Sequence, residues 1–89
     1  MAQNGAHFFD VDALPADIGD PDALFQIGLR YAAGQGVPQD YVTAHRYLNL
    51  AAMGGSRPAR DLRAEIAQDM TPGQIYQAQR LARESIKVN

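Results

Sequence analysis

Apolar residues recur along this chain at helical spacing, in four successive runs set apart by glycine and proline. In the first run Leu24, Ile27, Gly28 and Tyr31 form one stripe, and Phe25, Leu29 and Ala32 form a second beside it. Asp22, Gln26 and Arg30 occupy the narrow face that remains, so the pattern predicts a helix packed on two sides. The second run, from about Tyr41 to Met53, turns Tyr41, Ala44, Leu48, Ala51 and Ala52 inward, widened by Tyr47 and Leu50. Val42, His45, Arg46, Asn49 and Met53 fall on the outward side of that wheel. The third run has Ala59, Leu62, Ile66 and Met70 as its inward stripe, helped by Ala67. In the fourth, Ile75, Ala78, Leu81, Ala82 and Ile86 oppose Gln74, Gln77, Gln79, Arg80, Arg83 and Lys87. A one-sided pattern of that kind suits a capping helix whose outer face meets water.

The punctuation between the runs is equally informative. Asp20-Pro21 pairs an N-cap acceptor with proline at the first helical position. Gly34 and Gly36 stand where the first run stops, Pro38 blocks its continuation, and Asp40 is placed to cap the second helix. Gly54-Gly55 ends that helix with residues suited to a left-handed C-cap, and Ser56 begins the third with Pro58 tolerated in its first turn. Thr71-Pro72-Gly73-Gln74 has the spacing of a capping box. A weak internal repeat accompanies these signals: Gly19-x-x-x-Ala23 returns as Gly55-x-x-x-Ala59, a shift of 36 positions. The copy decays quickly, since Ile27 corresponds to Arg63 and Tyr31 to Ala67.

The hairpin at the centre also carries a family likeness. Ile27-Gly28, Tyr31, Gly34-x-Gly36-Val37, Asp40, Ala44, Tyr47, Ala51-Ala52, Gly55 and Ala59 resemble the Sel-one-like repeat, a relative of the tetratricopeptide repeat. The likeness spans about Asp20 to Leu62, one full repeat and the opening of a second. Tyr47 stands where such repeats usually have tryptophan, which keeps the aromatic role. The resemblance implies a binding module of the adaptor or scaffold kind, many of them bacterial, and brings no catalytic residues with it. The expected fold is all-α, a short right-handed α/α solenoid of about four antiparallel helices. Residues 1–19 form an N-terminal segment, 20–55 the repeat hairpin, and 56–89 a degenerate second repeat with its cap.

Composition narrows the setting. The chain has 89 residues, 46% hydrophobic and 20% charged, which fits one folded domain with a thin core. No apolar run approaches the ~20 residues of a membrane span, and the N-terminus lacks the pattern of a signal peptide. The absence of cysteine excludes disulfides and thiolate metal sites and fits a reducing compartment, so a cytoplasmic protein is expected. The net charge of −2 is unevenly spread: residues 1–40 set six aspartates against Arg30, whereas residues 41–89 set seven basic residues against four acids. Halves of opposite sign allow attraction within the chain or head-to-tail association between chains, and the same distribution is ordinary where acids gather at helix N-termini and arginines on exposed helix faces.

Candidate chemistry is sparse. Ser56 and Ser85 have neither a neighbouring histidine nor an elbow-type glycine context, and His45 lacks an orienting carboxylate on its own helix, so it reads as an exposed structural histidine. His7 with Asp10 and Asp12 has no second histidine at ligand spacing. Gly34-Gln35-Gly36 lacks the strand, third glycine and lysine of a phosphate loop. No catalysis, cofactor or metal is therefore expected. Arg57, Arg60, Arg63, Arg80, Arg83 and Lys87 suggest a nucleic-acid surface as the alternative, but Asp61, Glu65, Asp69 and Glu84 interleave with them. A small hydrolase is a more distant option. The expected function is recognition of another protein, or self-association, through the polar stripe of the first helix, Gln26 and Arg30, continued by Arg60 and Arg63. Phe8 and Phe9 are expected to cover the apolar end of the first helix, unless a second chain does so.

Overall fold

The computed structural model describes residues 19–85, and these form four α-helices with no strand among them: α1 Pro21–Ala33, α2 Tyr41–Met53, α3 Arg57–Ala67 and α4 Pro72–Ser85. The all-helical fold expected from the sequence is what is observed. Phe8, Phe9, His7, Asp10, Asp12, Ile86 and Lys87 lie outside the described residues.

Each helix begins where a local signal places it. The Asp20 carboxylate accepts from the Asp22 N–H at 3.1 Å. Asp40 accepts from the Thr43 N–H at 3.1 Å and from its hydroxyl at 2.6 Å. Ser56 Oγ accepts from the Ala59 N–H. At α4 the capping box closes in both directions: the Gln74 N–H donates to Thr71 Oγ1, and the Thr71 N–H donates to Gln74 Oε1.

The ends of α1 and α2 are fixed by glycine in the left-handed region. Gly34, at φ 70°, lets the N–H groups of Gly34 and Gln35 both reach the Arg30 carbonyl. At the end of α2 the positive φ, 105°, belongs to Gly55, with the Ser56 N–H bonded to the Ala51 carbonyl and the Gly55 N–H to that of Ala52. That is the Schellman arrangement. The Gly34–Asp40 loop then returns to α1, its Asp40 N–H donating to the Tyr31 carbonyl and its Gln39 amide to that of Ala32.

Packing is centred on α2, against which the other three helices lie. Antiparallel approach of α1 is set by two glycines. A Cβ on Gly28 would lie 2.7 Å from Leu48 Cδ2, and one on Gly54 2.7 Å from Pro21 Cγ. Both helices thus approach closer than any larger residue would allow. Tyr31 and Tyr47 fill the space beside this contact, their rings stacked at 6.1 Å and 3°. Leu24, Ile27, Ala44, Tyr47, Leu48, Leu50, Ala51, Ala59, Ile66, Met70, Ala78 and Ala82 make the buried core.

The internal repeat has a structural counterpart. Gly19 and Gly55 both take positive φ, each directly ahead of an N-cap, Asp20 or Ser56. Yet the two copies face different surroundings: Ala59 is fully buried, while Ala23 in the same register of α1 is exposed. Carried through the same 36-residue shift, Leu62 and Ile66 of α3 correspond to Gln26 and Arg30 of α1. The face with which α3 meets the preceding hairpin is therefore polar in α1.

Candidate functional site

The second apolar stripe of α1 does not disappear into the core. Leu29, Ala32 and Ala33 line one side of a groove of about 250 Å³, and Leu62 and Ile66 of α3 line the other, with Tyr41 of α2 at the base. The groove exists because α1 and α3 each pack on α2 but meet one another less closely. Leu29, Ala32, Tyr41 and Leu62 are left half-buried as a result. Glu65 on α3 and Asp69 in the turn that follows it complete that side of the groove, both exposed. Among the described residues, no basic one lines the groove.

The residues expected from the sequence to bind a partner lie elsewhere. Gln26 and Arg30 are exposed on α1 and Arg60 is exposed on α3, and none of the three lines the groove. Arg63 is half-buried, and its guanidinium donates to Asn49 Oδ1, tying α3 to α2. Other arginines are similarly engaged. Arg46 donates through Nε and Nη2 to Ser85 Oγ at 2.9 and 2.6 Å, and that hydroxyl donates to the Leu81 carbonyl. Arg80 pairs with Glu84 at 3.0 Å on the surface of α4. Both serines are thereby structural: Ser56 caps α3, and Ser85 clasps α2 to α4.

His45 departs from the sequence-based expectation. The helical wheel turns it outward, whereas the structure leaves it only 3% exposed, with Nδ1 buried and without a hydrogen-bond partner. The cause is the position of α2 between three neighbours, which covers a flank that a helix with one partner would expose. Burial, followed by the nearby Arg63 guanidinium, pushes the His45 pKa below its ordinary value of 6.5.

A stability effect follows. The unfolded chain binds a proton at His45 more readily than the folded one. The contribution of the neutral ring is therefore complete above about pH 6.5 and is lost as pH falls below it. The slope in that window cannot exceed about 1.4 kcal/mol per pH unit for one group. Urea melts at pH 7.5 and pH 5.5 should show the folded state weakened by acid. In His45→Leu, which removes the orphaned nitrogen, that dependence should flatten while stability at pH 7.5 is kept or raised. An unchanged slope in the variant would assign the acid sensitivity to other groups.

No helix of the described residues is long and apolar enough to cross a membrane. The described residues contain no group of three or more His, Asp or Glu that could hold a metal ion. No known protein family, curated protein or solved structure matches this chain.

Proposed function

We propose that this chain is a non-enzymatic protein–protein interaction module, an adaptor or scaffold of the Sel-one-like kind acting in the cytoplasm, and that it seats a segment of its partner in the groove between α1 and α3. The observation that carries this reading is the groove itself: half-buried Leu29, Ala32, Tyr41 and Leu62 held open between two helices of a repeat-like stack. Helical repeats gain a binding surface where successive first helices line up side by side. The groove falls below the roughly 300–1,000 Å³ of small-molecule sites, which favours side chains of a protein segment as its contents. It also takes precedence over the arginine positions, because Arg63 is already committed to Asn49.

Selection of a random peptide library on the immobilised protein tests the reading. Enrichment is expected on the parent and should be lost on Leu62→Glu, with circular dichroism confirming that the variant folds. Absence of enrichment, or enrichment indifferent to Leu62→Glu, would remove the groove as the binding surface.

A further inference from the structure

We infer that the segment accepted by the groove is basic and apolar: an aliphatic or aromatic side chain enters between Leu29 and Leu62, and a lysine or arginine about one turn away meets Glu65 and Asp69. This rests on the interaction-module reading above and names the chemistry of its partner.

The argument is one of complementarity. The groove offers apolar surface that the fold leaves partly wet, from Leu29, Ala32, Tyr41 and Leu62. Covering such surface favours association in proportion to the area removed from water. One side offers two carboxylates, Glu65 on α3 and Asp69 in the turn that follows it, and among the described residues neither is in an ion pair. Among the described residues that line the groove, Glu65 and Asp69 are charged and none is a lysine, arginine or histidine, although the second half of the chain carries net positive charge. An incoming acidic segment would meet like charge, whereas a cation beside an apolar anchor satisfies both parts of the surface. The chain's own first 18 residues do not fit this description. They contain Asp10, Asp12 and Asp17 and no lysine or arginine. Charge therefore favours a foreign segment over the chain's own N-terminal one.

Such exposed carboxylates steer and discriminate rather than bind tightly alone, and their effect weakens with salt. The test uses the full-length, isotope-labelled protein and three synthetic helical peptides of about 12 residues, a length of roughly three turns. The first carries leucines with arginines one turn away, the second replaces each arginine by glutamate, and the third replaces each leucine by serine. Amide shifts are expected at Leu29, Ala32, Leu62 and Ile66, with the first peptide binding at least about tenfold tighter than either control. Glu65→Gln/Asp69→Asn, a change at exposed positions, should weaken the first peptide about fivefold or more, as should raising salt to about 0.5 M.

Equal binding of the glutamate peptide in the groove would overturn the basic partner while leaving the interaction module standing. An unaffected double variant would have the same meaning. Shifts elsewhere, or none with any peptide, would sink both readings. Groove signals that move on dilution without peptide would assign the site to a second copy of this chain and overturn the foreign segment.

Discussion

Tyr47→Ala is expected to leave much of the population unfolded at 25 °C. The ring is 1% exposed, is among the largest fully buried side chains, and stacks on Tyr31 across the α1–α2 contact. Truncating a buried aromatic residue to alanine typically costs about 3–5 kcal/mol. A domain of this size has only about 5 kcal/mol of stability to lose. Thermal unfolding should fall by about 15 °C or more, given the roughly 4–8 °C lost per kcal/mol in domains of 60–100 residues. Tyr47→Phe keeps the ring and its stack on Tyr31 and should cost less than Tyr47→Ala. If Tyr47→Ala melted within a few degrees of the parent, the ring would not be the filler between α1 and α2 that its burial indicates.

Gly28 carries the second large effect, and here the two expected contributions oppose one another. Glycine inside a helix is roughly 1 kcal/mol worse than alanine, so propensity alone predicts that Gly28→Ala stabilises. Packing predicts the reverse. The added Cβ would lie 2.7 Å from Leu48 Cδ2, 2.8 Å from Leu48 Cγ and 3.3 Å from the Ala44 carbonyl oxygen. Leu48 is fully buried, so it can move aside only by displacing its neighbours in the core. Overpacking of this kind costs about 1–3 kcal/mol, enough to cancel the propensity gain or exceed it. Gly28→Val, with two further carbons and a stiff χ1, should lose clearly more than Gly28→Ala. The decisive measurement is a double-mutant cycle with Leu48→Ala, which makes room for the new atom. The pair should be less destabilised than the sum of the single changes by about 1 kcal/mol or more. Strict additivity would mean that the helices do not meet at this point.

Those two residues were prominent in the sequence for the same reason that their substitution is costly. Small and aromatic positions, caps and glycine turns are local codes, readable without knowing what lies across the helix. Asp20, Asp40, Ser56 and Thr71 cap where their spacing indicates. His45 was not legible, because a helical wheel divides a helix into two faces, whereas α2 is covered on three sides. A weaker signal was present: Arg46 is the only Lys, Arg, Asp or Glu in the 13 residues of α2, which is sparse for a helix with a solvent face. The groove was half legible. Leu29 and Ala32 do belong to a second apolar stripe, but spacing along one helix does not tell how far the next will stand from it. Glu65 and Asp69 read as ordinary members of a mixed-charge helix, and only the placement of α3 against α1 turns them into a wall.

The register shared by α1 and α3 bears on how long such a stack can grow. Leu62 and Ile66 give α3 an adhesive edge toward the hairpin before it, and the same positions in α1 hold Gln26 and Arg30. A further hairpin placed ahead of α1 would find hydrogen-bonding and charged groups where α3 offers aliphatic ones, and burying them without partners is costly. The two first helices therefore present unlike edges: α3 turns aliphatic side chains toward the hairpin before it, whereas α1 holds an amide and a guanidinium at the same positions.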